Sequence, residues 1–250
     1  MKYPPHPDTV SVEDTSAQCH IGLFLFDGVE ELDAVGPGEV LAYWPRHHPS
    51  DGWSITSLSV GGRDVIGAKG LVLSAHQSLD DAPPLNVLMH PGGHGTRRLL
   101  RDLEHLDWIR KQREAVSLMA SVCAGSLVYA AAGLLTGRPA TTHWASLNRL
   151  CEIDPAIKTD VAARFVDDGD LLTSAGVSAG IDMALHLVAR SPVSNGHARS
   201  AAASSTTRTH RSEMTTESAF GPPHTEWTAS GQCARTVSAH QTSPNPGSSA

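Results

Sequence analysis

One stretch constrains the fold more than any other. An apolar run from Val116 to Val122 stops at Cys123, is followed by Ala124 and Gly125, and continues as a helix-like pattern that ends at Gly133. A continuous apolar run bounded by small residues reads as a buried strand. The small residues then permit a sharp turn into a helix, which leaves one cysteine at the corner. This is the logic of a nucleophile elbow, although the Gly-x-Ser-x-Gly spelling is absent. A thiol at such a corner faces backbone N–H groups and the positive end of a helix dipole. Both favour the thiolate. The competing reading is a cysteine that packs as a small hydrophobe, which is common for free thiols.

Around the elbow, apolar strand-like segments alternate with helical ones. His20 to Phe26, Trp53 to Val60, Leu71 to Ala75 and Leu85 to His90 read as strands. Helices are expected from Gly36-Pro37 to Trp44, over 96–103 and 106–113, and from Thr141 to Leu150. Proline suits a first helical position, which sets the start of the first of these. Two short strands, Ala163 to Val166 and Leu171 to Thr173, precede a last helix that ends near Arg190. Strands apolar on both faces and separated by helices predict a mostly parallel sheet covered on both sides. Ligands of such sheets sit beyond the carboxyl ends of the strands. Three chemically loaded loops fall there: 27–37, 91–95 and 123–126.

Composition narrows the rest. The 250-residue chain carries a formal charge of −7, against a role centred on nucleic acid. Arg97, Arg98 and Arg101 form the densest basic group and read as a solvated helix face. The four cysteines fit no zinc or redox pair, and the fourteen histidines show no metal-ligand spacing, so no metal is expected. No apolar run approaches the roughly 20 residues a spanning helix needs. Residues 1–18 read as a flexible leader and a cytoplasmic location is expected. From Ser191 the chain turns abruptly to Ser, Thr, Ala, Pro and His. That composition predicts a disordered, low-complexity tail over 191–250, and the abruptness suggests an out-of-frame reading of the gene.

The loop residues offer candidate roles without deciding among them. Glu30, Glu31 and Asp33 are each able to serve as a proton-exchanging partner for the thiol, or to complement a helix start. Gly92 and Gly93 would let backbone N–H groups approach a ligand. His94 lies at the mouth of the expected site. His143 fits a site wall, a base or a helix-start polar group.

Five motifs in order carry a resemblance: Phe26 to Pro37, Pro91-Gly92-Gly93, Ser121 to Ser126, Ala140 to Trp144, and Thr173 to Asp182. Over about 19–190 the chain resembles the ThiJ/PfpI superfamily of glutamine-amidotransferase-like proteins. The Leu-Asp-x-x-Gly-Pro and Thr-Thr-His-Trp segments are similar to isonitrile hydratases and to the sensor domains of AraC-type regulators. The resemblance implies a flavodoxin-like three-layer α/β sandwich with Cys123 as the elbow nucleophile and Asp33 as its acid partner. It implies a substrate pocket including Gly92, Gly93, Ala124 and His143, no cofactor, a small-molecule substrate and a homodimer. The implied reaction is addition of water to an isonitrile, giving an N-substituted formamide. The alternatives are a metabolite sensor and a glyoxalase- or deglycase-type enzyme acting on reactive carbonyls. No helix-turn-helix pair follows residue 190, so DNA binding within this chain is not expected. Two positions depart from the pattern. Isonitrile hydratases place a threonine after the cysteine, where this chain has Ala124. The ordered helical segment usual after the position of Arg190 is replaced by the polar tail.

Overall fold

The structure, a computed structural model, describes residues 19–190 and 208–211. Its strands are β1 (Cys19–Phe24), β2 (Trp53–Ser59), β3 (Val65–Ile66), β4 (Val72–Leu73), β5 (Gln77–Ser78), β6 (Val87–His90), β7 (Leu118–Val122), β8 (Pro139–Ala140), β9 (Lys158–Thr159), β10 (Ala163–Asp167), β11 (Leu171–Ser174) and β12 (Arg208–Arg211). The helices are α1 (Glu31–His47), α2 (Thr96–Leu99), α3 (Leu103–Ala115), α4 (Gly125–Ala131), α5 (Leu147–Ile153) and α6 (Ser178–Arg190).

Eight strands form the central sheet in the order β12-β10-β11-β7-β6-β1-β2-β5. The pairs from β11 through β5 are parallel, and β10 runs antiparallel to both β11 and β12. This is the mostly parallel, helix-flanked sheet of a flavodoxin-like fold. β6 and β7 are buried at every residue, as a sheet covered on both faces requires. α1 packs on α6, and α2, α3 and α5 pack on α4. After β1 the chain builds β2 on one side and later returns to lay β6 on the other. That reversal opens a crevice beyond the strand ends, the usual ligand position in such sheets.

Three details differ from the sequence reading. α1 begins at Glu31, so Gly36 and Pro37 lie inside it and do not start it. Tertiary packing accounts for this: a Cβ at Gly36 would come within 3.0 Å of Ile181, and one at Gly180 within 3.0 Å of Pro37. Glycine on each helix brings α1 and α6 together around the proline, offsetting its missing N–H. The strand expected over Leu71 to Ala75 shrinks to β4, which pairs only with β3, outside the main sheet. Thr141 and Thr142 precede the helix they were expected to start; a 3-10 turn, Trp144–Ser146, leads into α5. The expected leader 1–18 and most of the expected tail 191–250 lie outside the described residues. Within the tail, Arg208–Arg211 forms β12 on the outer edge of β10.

Behind the 91–95 loop lies a sealed aromatic nest. His90 is fully buried, with its Nδ1 2.8 Å from the Pro91 carbonyl oxygen and its Nε2 3.1 Å from Nε2 of His105. Phe24 and Phe26 pack against His90, and Trp108 stacks on His105. Burial lowers His90 to about 3 and His105 to about 4, so both rings are neutral. The Pro91 carbonyl then takes a proton donor from His90 Nδ1, and His105 donates to His90 Nε2.

Candidate active site

The chain leaves β7 at Val122 and turns through Cys123 with φ of 55° before α4 begins at Gly125. A side chain at positive φ carries backbone strain of about 1–3 kcal/mol, so neighbouring bonds must hold the turn. Cys123 N–H donates to the Ser174 carbonyl at 3.0 Å. Its own carbonyl accepts from Ser126 Oγ at 3.1 Å and from Thr142 Oγ1 at 3.0 Å. Small residues make room for the corner. A Cβ on Gly125 would sit 2.3 Å from the His90 carbonyl oxygen, and one on Gly176 would sit 2.8 Å from Cys123 Cβ.

Asp33 comes to this corner from the first turn of α1 and is fully buried. Val177 N–H donates to its Oδ1 at 2.9 Å and Gly92 N–H to its Oδ2 at 3.2 Å. The Cys123 side chain lies beside it: a Cβ on Gly92 would meet Cys123 Cβ at 2.8 Å and Asp33 Oδ2 at 2.9 Å, and the two groups couple electrostatically. Val177 has φ of 51°, unfavourable for a β-branched residue. Cys123 and Val177 are the two non-glycine residues at positive φ among those described, and both meet Asp33.

Electrostatics here run against the sequence expectation of a ready thiolate. Burial raises the Cys123 thiol well above its ordinary value, and the Asp33 charge adds to the effect; the Ala124 N–H pulls the other way. α4 has only seven residues, too short for its dipole to outweigh desolvation beside a carboxylate. Burial likewise raises Asp33 to about 6, against the hydrogen bonds from Val177 and Gly92 and the pull of the nearby Cys123 thiol. Above that pH the pair holds one proton, on the sulfur side.

The other candidates separate. Cys123, Ala124, Gly93 and His143 line one open cleft, and His94 lies on its wall. Gly92 touches the pair from behind, and its N–H is taken by Asp33. Gly93 has φ of 119°, and a Cβ there would lie 2.3 Å from Glu30 N, so only glycine fits. Its N–H has no protein partner among the described residues. Half-buried His143 accepts from Ala145 N–H at 3.3 Å through Nδ1, and burial lowers its pKa. It is thus both the polar group at a helix start and a wall of the cleft. Glu31 accepts from the Lys69 N–H at 2.6 Å and Glu30 pairs with the Lys69 ammonium, which leaves Asp33 as the acid facing the thiol. Among the described residues no group of three or more His, Cys, Asp or Glu is arranged to hold a metal ion. No described helix is long and apolar enough to cross a membrane.

Three contributors carried no role in the sequence reading: Val177, Gly176 and Thr142. The first acts through its main chain and so leaves no side-chain signature. The glycine just before the last helix and the paired threonines after β8 were the available signals.

The DJ-1/PfpI family matches residues 20–190. Isonitrile hydratase of Pseudomonas putida is 41% identical over 167 residues, covering 67% of this chain and 69% of that protein. The HTH-type transcriptional regulator GbdR of Pseudomonas aeruginosa is 33% identical over 170 residues, 68% of this chain. The chain spans less than half of that regulator, 46% of its length. A solved ThiJ/PfpI family protein from Pseudomonas syringae superposes with a TM-score of 0.60 at 30% identity, covering 76% of this chain and 75% of that one. On sequence and fold alike, the chain belongs to the DJ-1/PfpI family.

Proposed function

We propose that this protein is an isonitrile hydratase-like lyase that uses Cys123 and Asp33 to add water to a small organic isonitrile. The observation that carries the reading is a fully buried carboxyl coupled to the elbow thiol, with that thiol lining an open cleft. The 41% identity to an isonitrile hydratase supports it.

The chemistry follows from the single shared proton. Asp33 accepts the thiol proton as Cys123 Sγ bonds to the terminal isonitrile carbon, and then delivers that proton to the same carbon. The product is a thioformimidate, R–N=CH–S–Cys. Water next attacks this carbon while Asp33 takes one of its protons and passes it to nitrogen. The tetrahedral adduct collapses to the formamide carbonyl, the C–S bond breaks, and the adduct's hydroxyl proton returns to sulfur through Asp33. The sum is isonitrile plus water giving N-substituted formamide, with the enzyme unchanged. The Gly93 N–H is free to steady charge in the cleft. Ala124 supplies no hydroxyl to orient the water, so that task falls to Asp33 and to His143.

The test is product analysis after incubation with cyclohexyl isocyanide. N-cyclohexylformamide is expected from the wild type and not from Cys123→Ala. Turnover of methylglyoxal without formamide would assign the thiol to reactive carbonyls. A metabolite-sensing role is the second reading, favoured by the 33% identity to a transcriptional regulator. Ligand-dependent thermal stabilisation without turnover would select it. A homodimer in solution is part of the proposal and is read by light scattering.

A further inference from the structure

The basic cluster that reads as a solvated helix face in the sequence lies on the reaction cleft. Arg97, Arg98 and Arg101, from α2 and the turn after it, line the same cleft as Cys123, and Arg149 of α5 lines it too. His94 and His143 add polar nitrogen to the walls, and the lining contains no aspartate or glutamate. This is a marked local inversion for a chain with a net charge of −7. Elsewhere the arginines are mostly spent on carboxylates: Arg63 on Asp27, Arg113 and Arg138 on Asp170, Arg164 on Asp182 and Arg190 on Asp167. At the cleft, among the described residues, only Arg149 has such a partner, Glu152 at 2.9 Å. Arg97 and Arg101 are exposed and have no ion pair among the described residues.

We propose that the cleft selects substrates that carry a carboxylate, held by Arg97 and Arg101 while the reactive carbon lies at Cys123. The class is the isocyano carboxylates, with the isonitrile and the acid at opposite ends of a short chain. A guanidinium offers a planar pair of donors that matches a carboxylate, and like-charged walls concentrate anions in the cleft, with Asp33 buried behind Cys123 and Glu30 paired with Lys69. The inference rests on the hydratase reading for its reactive group and on the cleft charge alone for its anionic one.

The experiment measures the two separately. Binding of 4-isocyanobutanoate and of its methyl ester is followed by calorimetry on full-length Cys123→Ala, which does not turn them over. The acid is expected to bind at least about 10-fold more tightly than the ester at low salt, with the advantage shrinking as ionic strength rises. Arg97→Gln/Arg101→Gln is expected to erase the advantage. Arg46→Gln/Lys111→Gln removes the same charge from residues outside the cleft and is expected to preserve it. Equal affinity for acid and ester, equal loss in both double variants, or binding of neither ligand overturns the proposal. Formamide from neutral isonitriles alongside equal affinities would defeat only the anion selectivity. Acid-selective binding without any formamide from the wild type would defeat only the hydratase reading.

Discussion

Two buried titratable pairs stand at neighbouring strand ends, and only one of them faces a cleft. Asp33 and Cys123 meet beyond β7, with Cys123 lining the cleft and Asp33 buried behind it. His90 and His105 meet beyond β6, enclosed by Phe24, Phe26 and Trp108. Burial pushes each pair toward neutrality. The open pair adds strain at Cys123 and Val177, one shared proton and a way in for a ligand. The closed pair has no residue at positive φ, and both ring nitrogens of His90 are paired. A perturbed titration therefore does not by itself mark a reactive site; access and backbone strain separate the two. The pairs are also joined, because His90 holds the Pro91 carbonyl and the next residue, Gly92, donates to Asp33.

The largest expected effect is at the sulfur. Cys123→Ser should lower kcat for formamide production by roughly 10³-fold or more, with folding retained, as judged by circular dichroism. Asp33→Asn comes next, with a loss of roughly 10²–10³-fold. The same substitution removes the charge that opposes the thiolate, so iodoacetamide should alkylate Cys123 faster than in the wild type at pH 8. Slower alkylation would contradict the account of the shared proton.

The pH profile sharpens the contrast. In the proposed hydration the Asp33 carboxylate is the proton acceptor, so kcat/KM should fall about tenfold per pH unit below about 6 and level off above it. Stability responds through the other pair. The folded pKa values of His90 and His105 lie below the ordinary histidine value of 6.5. The folded state therefore binds fewer protons than the unfolded chain. This contribution is full above pH 6.5 and is lost as pH falls toward 4 and then 3. A melting series should show that slope in the wild type and a flatter one in His90→Gln/His105→Gln.

The smallest effect separates the pairs again. His90→Leu leaves the Pro91 carbonyl and the His105 donor unpaired, which should cost about 2 kcal/mol, or roughly 4–8 °C in Tm. Its kcat at pH 7.5 should change by less than about 10-fold, since the ring touches no reacting atom. A loss comparable to that of Asp33→Asn would mean that the closed pair works in the chemistry.

Much of this was legible in the sequence because the signals were local. A seven-residue apolar run ending at Cys123 announces the elbow, and Pro91-Gly92-Gly93 marks the loop packed against it. Long-range facts were not legible. Gly36-Pro37 looks like punctuation until α6 is seen packed on it. The Val177 N–H that fixes Asp33 is a main-chain group 144 residues away. The dipole argument for a thiolate failed because it could not weigh burial against a short α4. Arg97, Arg98 and Arg101 looked like an ordinary solvated face because their spacing does not say which cleft they border.

The central claim is most directly tested by quantifying N-cyclohexylformamide from cyclohexyl isocyanide with wild type, Cys123→Ser and Asp33→Asn in parallel. The account predicts product from the wild type alone at measurable rates. Product formed equally well without the sulfur, or none from the intact protein, would contradict it.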